Sequence, residues 1–250
     1  MSSDPLLRTA GLTRRFDEFT AVDGVDIAVD RGELRGLIGP NGAGKTTLFR
    51  LLAGDLAPSS GRVYLDGTDV TRWPAHRRAR AGVARAFQVT TLFPGLSVRE
   101  NVLGARNGQR RLLSPVRRYR DDEAGLAAVA DLLSRVGLAD RADVPVADLS
   151  HADAKTLELA VALAAAPDLL LLDEPTAGLA ADETARIRDL IDDLRTEHTI
   201  LLVEHDVDVV MGLADRVTVL HQGAVLAEGS PDDVRGDERV QQVYFGRSTA

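Results

Sequence analysis

The feature that most constrains this chain is a glycine-rich turn set between a strand-like run and a helical one. Leu34 to Ile38 passes directly into Gly39-Pro40-Asn41-Gly42-Ala43-Gly44-Lys45-Thr46-Thr47, and Leu48-Phe49-Arg50-Leu51-Leu52 follows. Strand, glycine loop and helix in that order form the context in which such a loop cradles phosphates. Glycines let successive backbone N–H groups turn inward, and the positive end of the following helix adds to the attraction. On this basis Gly39, Asn41, Gly42, Ala43 and Gly44 are expected to line a nucleotide cradle. Lys45 supplies a mobile charge for the β- and γ-phosphates, Thr46 a hydroxyl for Mg²⁺, and Thr47 a hydrogen bond to phosphate. The loop alone specifies a nucleoside triphosphate.

The rest of the chain reads as an α/β protein built around that loop. Short apolar runs at Leu169 to Leu172, Ile200 to Val203 and Arg216 to Leu220 join Leu34 to Ile38 as expected strands of a largely parallel sheet. Val22 to Val29 and Arg62 to Leu65 alternate more and end in turn signals such as Asp66-Gly67, as an antiparallel flank would. Between Phe93 and Ala166 helical periodicity takes over, including Asp121 to Val136. The expectation is a P-loop NTPase core with a largely parallel sheet, an antiparallel β flank and an inserted helical subdomain. A single domain over 1–250 is expected, with 1–92 and 167–225 as core, 93–166 as helical insert and 226–250 as a polar tail. In that tail, Gly229-Ser230-Pro231-Asp232-Asp233 resembles a turn leading into a capped helix.

Composition narrows the function classes. At 250 residues and 44% hydrophobic, the chain can bury a sizeable core. Thirty basic against 38 acidic residues leave a formal charge of −8, which argues against a nucleic-acid partner bound through the whole surface. No cysteine is present, so disulfides, thiolate nucleophiles and cysteine-ligated metals are excluded. Met-Ser-Ser-Asp-Pro lacks the features of a secretory signal, which gives an expectation of a cytoplasmic protein. The most apolar stretch is broken by Pro167 and Asp168 and falls short of the roughly 20 residues of a spanning helix, so a membrane role needs a partner.

Two further strand ends carry chemistry. Leu169-Leu170-Leu171-Leu172-Asp173-Glu174 is an apolar strand closing on two acids. Asp173 is placed to hold a metal-bound water and Glu174 to act as general base on the attacking water. Outside the context of a phosphate loop, the same pattern describes a core strand meeting solvent. His205 follows Ile200 to Val203 and Glu204, where a parallel strand ends and ligands collect; its other reading is a structural histidine. Gln88 is either a ligand of Mg²⁺ or water, or an ordinary surface amide. Phe16 either stacks on adenine or is a buried aromatic.

Together these residues resemble the ATPase subunit of ABC transporters, in that family's order over nearly the whole chain. The resemblance implies an aromatic before the phosphate loop at Phe16 and a glutamine opening the helical lobe at Gln88. It also implies a signature at Leu149-Ser150, hydrolytic acids at Asp173-Glu174 and a closing histidine at His205. It implies ATP and Mg²⁺, hydrolysis in a head-to-tail dimer in which Ser150 acts on the partner's ATP, and a separate transmembrane permease at the cytoplasmic face of the membrane. Gly82-Val83-Ala84-Arg85-Ala86-Phe87-Gln88, Glu204-His205-Asp206-Val207-Asp208-Val209-Val210 and the segment from Gly223 through Ala227-Glu228-Gly229 to Tyr244-Phe245-Gly246 look like the branched-chain amino acid importer type, a branch that also serves urea. That branch implies a solute-binding protein as an indirect partner. Lipopolysaccharide exporter ATPases look similar in outline, and cytosolic ABC ATPases and catalytically silent subunits are further alternatives.

Two stretches depart from the family pattern. Leu149-Ser150-His151-Ala152-Asp153 has alanine and aspartate where the family commonly keeps glycine and glutamine. Ala180, after Ala177-Gly178-Leu179, replaces an aspartate or asparagine. These changes are either neutral drift or a weakened surface toward the partner's nucleotide, and the second reading favours a heterodimer over a homodimer. Arg106, Arg110, Arg111, Arg117, Arg118 and Arg120 form either a solvated face or a contact with the permease or anionic lipid.

Overall fold

The computed structural model describes residues 4–87, 92–109 and 123–245. Its first strands are β1 (Leu7–Phe16), β2 (Phe19–Val25), β3 (Ala28–Val29), β4 (Leu34–Ile38), β5 (Ser60–Leu65) and β6 (Thr68–Asp69). The later ones are β7 (Val83–Ala86), β8 (Leu169–Asp173), β9 (Thr199–Val203), β10 (Arg216–His221) and β11 (Ala224–Gly229). The helices are α1 (Lys45–Ala53), α2 (Ala75–Arg80), α3 (Val98–Gln109), α4 (Glu123–Arg135), α5 (His151–Leu163), α6 (Ala181–Leu194), α7 (Val207–Leu213), α8 (Pro231–Gly236) and α9 (Glu238–Phe245).

Two sheets result. One runs β11-β10-β4-β9-β8-β7, parallel throughout except for β11, which returns antiparallel to β10. The other runs β2-β1-β5-β6 with β3 on β1, all antiparallel. The expected parallel core and antiparallel flank are both present. Strands β4, β8 and β9 are buried at every residue, because a parallel strand covered on both faces has no solvent side to mark with polar residues. Their side chains divide with period two. Leu170, Leu172, Ile200 and Leu202 face a cluster shared with α5, α6 and α7. Leu169, Leu171, Leu201 and Val203 face α1 and the antiparallel sheet. Each such aliphatic side chain contributes roughly 1.5–3 kcal/mol by its burial. Helices α3 and α4 extend the first cluster away from the sheet, with α3 packed on α5.

The polar tail expected from residue 226 begins differently. Leu226 to Gly229 continue β11, pairing Ala227 with Val219 and Glu228 with Thr218. An edge strand has one neighbour and needs little apolar surface, which is why this short mixed run reads as a tail. The turn that follows behaves as expected: Ser230 Oγ accepts from the N–H of Asp233 at 3.2 Å, and Asp233 returns a carboxylate to the N–H of Ser230 at 3.0 Å, opening α8.

A buried arginine ties α2 to the C-terminal end of α1. Arg78 of α2 is 1% exposed and donates to the carbonyls of Leu51 and Leu52, both at 2.7 Å, at the C-terminus of α1. A cation there satisfies orphan carbonyls and complements the helix dipole. Burial pulls Arg78 down to about 10, so it stays charged near neutral pH. No helix among the described residues is long and apolar enough to cross a membrane.

Candidate functional site

The loop between β4 and α1 forms one wall of a cavity of about 320 Å³, lined by Asn41, Gly42, Ala43, Gly44, Lys45, Thr46 and Thr47 with Phe19, Ala21, Glu174 and His205. Gly44 has φ +101°, and a Cβ there would lie 2.3 Å from the carbonyl oxygen of Ala21. A Cβ on Gly39 would lie 2.4 Å from the carbonyl oxygen of Leu220. At these two positions the loop threads between β2 and β10 with no room for a side chain.

Lys45 is buried, and its ammonium donates to the carbonyls of Gly39 at 2.5 Å and Pro40 at 3.2 Å. Burial pulls its pKa below the usual lysine value, while the nearby charges of Glu174 and Asp173 oppose that shift. A desolvated cation folded against its own loop is poised to exchange two carbonyls for anionic oxygens. The C-terminal helix α9 reaches the same place: Tyr244 lies near the backbone of Gly39, and burial pushes its phenol up to about 12.

Opposite the loop lie the ends of β8 and β9. Asp173 is 3% exposed, and burial pushes its carboxyl above the usual range. Arg85 of β7 opposes that shift, donating to Asp173 Oδ2 at 2.9 Å and to Asp55 Oδ2 at 2.6 Å. The chain turns at Glu174, whose φ of +56° is a left-handed conformation costing on the order of 1–3 kcal/mol in a non-glycine residue. Three contacts hold that turn. The N–H of Glu174 donates to Val203 O at 2.8 Å, Lys155 Nζ donates to Glu174 O at 3.2 Å, and Glu174 Oε1 lies 2.8 Å from His205 Nε2. Lys155 comes from α5 and also lies 5.4 Å from the ring of Phe87, so the signature helix touches the backbone of the acid.

The structure thus brings together Asn41, Gly42, Ala43, Gly44, Lys45, Thr46, Thr47, Glu174 and His205 around one cavity, while Gly39 and Asp173 are not part of its lining. It does not bring Phe16 to that wall. Phe16 ends β1 and lies under Arg14 at 4.5 Å, whereas its cross-strand neighbour Phe19 lines the cavity. Ser150 is exposed at the N-cap of α5, accepting from the N–H of Asp153 at 3.1 Å, and is not part of the cavity lining. Gln88 lies outside the described residues, as do Arg110, Arg111, Arg117, Arg118 and Arg120.

Residues not anticipated from the sequence are Phe19, Arg85, Lys155 and Glu204. An aromatic three positions after Phe16 was the available signal for Phe19. An arginine inside an otherwise apolar edge strand was the signal for Arg85. Neither Lys155 nor Glu204 has a local pattern that marks it.

No group of three or more metal-ligating side chains occurs among the described residues. The hydroxyl of Thr46 and the carboxylate of Asp173 are hard oxygen donors on facing elements. That sparse set suits Mg²⁺, which is commonly held by one or two protein oxygens, waters and phosphate.

Comparison with known proteins agrees with this geometry. Residues 22–177 match the ABC transporter family, and residues 224–250 match a family described as branched-chain amino acid ATP-binding cassette transporter. The high-affinity branched-chain amino acid transport ATP-binding protein LivG of Salmonella typhimurium is 40% identical over 255 residues, covering 98% of this chain and 100% of LivG. The lipopolysaccharide export system ATP-binding protein LptB of Acidithiobacillus ferridurans is 37% identical over 242 residues, covering 96% and 97%. A crystal structure of a nucleotide-free ATP-binding cassette from an ABC transporter superposes with a TM-score of 0.84 at 30% identity, covering 97% of this chain and 99% of that one.

Proposed function

The chain belongs to the ABC transporter family as an ATP-binding, ATP-hydrolysing subunit, and from that premise we propose that it powers import of a branched-chain amino acid or a related small solute through a separate permease. The observation that carries the hydrolytic part is the 2.8 Å contact between Glu174 and His205 across the cavity from Lys45. In the proposed mechanism Lys45 leaves the carbonyls of Gly39 and Pro40 for β- and γ-phosphate oxygens. Glu174 polarises the attacking water as general base, and His205 holds that carboxylate in place. Thr46 and Asp173, with Gln88 as a further candidate, would hold Mg²⁺, whose charge offsets that of the phosphates. Asn41, Gly42, Ala43, Gly44 and Thr47 cradle the phosphate chain, and the base stacks at the hairpin carrying Phe16 and Phe19.

The 40% identity to LivG and the match of the C-terminal segment support an importer; the similarity to LptB supports export less strongly. ATP-binding subunits of this family work with membrane permeases, so the proposed location is the cytoplasmic face of the membrane. A solute-binding protein would act on the permease side, and a second, non-identical ATPase subunit is the proposed dimer partner.

The test is transport by the purified complex in proteoliposomes. ATP-driven uptake of leucine is expected, with Glu174→Gln abolishing uptake while retaining ATP binding. A complex that ignores amino acids and extracts a lipopolysaccharide would move the chain to the exporter branch.

A further inference from the structure

Strands β8 and β9 are hydrogen-bonded neighbours up to Asp173 and Val203, and the N–H of Glu174 adds one more rung to Val203 O at 2.8 Å. Beyond that rung both chains leave the sheet, and they carry Glu174 and His205 with them. The ladder is continued there by a side chain. Glu204 is 4% exposed, and its Oε1 accepts from the N–H of Thr176 at 2.7 Å and from Thr176 Oγ1 at 2.6 Å. Its Oε2 accepts from the N–H of His205 at 3.1 Å. Thr176 is itself buried. One buried carboxylate therefore ties the loop after Glu174 to the backbone of His205, at the point where backbone pairing stops.

We infer that Glu204 is a positioning residue for ATP hydrolysis, a clamp through Thr176 that sets His205 at hydrogen-bonding distance from Glu174. Three features carry this assignment. All three of its contacts are accepted from N–H or O–H donors, which suits a carboxylate and not an amide, since an amide presents N–H₂ to one side. The clamp spans the two segments whose relative position fixes the 2.8 Å contact between Glu174 and His205. Glu174 is also held in a left-handed conformation, which persists only where its surroundings over-determine it. Glu204 lines no part of the nucleotide cavity, so its effect reaches the reaction through His205 and Glu174 and not through ATP.

This inference rests on the roles proposed above for Glu174 and His205. The experiment is steady-state ATP hydrolysis by the full chain in its purified transporter complex. Glu204→Gln is expected to lower kcat about tenfold while the KM for ATP stays within about twofold, because a transition-state arrangement is lost and ground-state binding is not. Thr176→Val, which removes only the hydroxyl rung, is expected to lower kcat by about threefold, and Thr176→Ser to retain at least about half the wild-type rate. In a His205→Ala background Glu204→Gln is expected to add less than about a twofold loss, since the clamp then has nothing to position.

Wild-type kcat in Glu204→Gln, a rise in KM that accounts for the whole defect, or a full additional loss in the His205→Ala background would overturn the inference. If Glu204→Gln does not fold, the Thr176→Val and Thr176→Ser pair decides, and equal rates for the two would overturn it. Should Glu174→Gln and His205→Ala both turn over at the wild-type rate, the proposed mechanism itself falls. Should they fail while the Glu204 and Thr176 variants do not, only the clamp falls.

Discussion

The nucleotide cavity and the signature end of α5 are built in opposite ways. Around the cavity every charged group is committed to a partner inside the chain. Lys45 bonds the loop carbonyls, Asp173 bonds Arg85, Glu174 meets His205, and Lys45 and Asp173 are buried. At the signature end Ser150 and His151 are exposed and Ala152 and Asp153 half exposed; Ser150 Oγ caps the helix by accepting from the N–H of Asp153, and His151 Nε2 lies beside Gly178. Ala152 sits in the first turn of α5, where alanine is the preferred helix former, so its methyl costs this chain nothing. Asp153 is the acidic residue of that first turn, a placement that stabilises a helix by roughly 0.3–1 kcal/mol through the dipole. The same carboxylate opposes the attraction that a helix N-terminus holds for phosphate. One region is thus complete in its intrachain partners. The other serves its own helix, and under the proposed reading its carboxylate would oppose an anion approaching from outside.

The strongest way to break this contrast is to attack the complete side. Lys45→Ala removes the one buried cation among the described residues of the cavity and is expected to weaken ATP binding by at least about 100-fold, as measured by isothermal titration. Near-native affinity would mean the loop does not use Lys45, and the cavity would lose its claim to be the nucleotide site.

A smaller effect sharpens the other side. Ala180 occupies the N-cap of α6 and has no side-chain acceptor, so the capping is one-sided: Glu183 Oε2 accepts from the N–H of Ala180 at 3.0 Å with nothing returned. Ala180→Asp is expected to stabilise the chain by about 1 kcal/mol, which in a domain of this size raises Tm by roughly 2–4 °C. An unchanged Tm would show that the cap is satisfied by solvent, and that the alanine carries no folding cost.

The sequence made the complete region legible because its determinants are local. A glycine loop needs contiguous residues, and strands buried on both faces must be continuous apolar runs, so Leu34–Ile38, Leu169–Asp173 and Thr199–Val203 stand out. What escaped depends on distant partners. Arg35, Arg78 and Arg85 look like surface charge until Glu33, the carbonyls of α1 and Asp173 are brought beside them. Glu204 reads as a strand meeting solvent, and only the approach of Thr176 makes it a buried clamp. Phe16 and Phe19 are both near the β1–β2 turn, and which of them faces the cavity is decided by the twist and bulges of that hairpin. Strand β11 escaped because an edge strand needs so little apolar surface.

The reading of Ala152 and Asp153 as a weakened surface toward the partner's nucleotide is tested most directly by nucleotide trapping. The assembled complex is incubated with photoreactive ATP and vanadate, and label on the two ATPase subunits is resolved separately. Ala152→Gly with Asp153→Gln in this chain is expected to raise trapping at the partner's phosphate loop by about three- to tenfold. Trapping at Lys45 is expected to stay within about twofold, because this chain's own pocket is untouched. Unchanged label on the partner, or an equal rise on both subunits, would contradict the account.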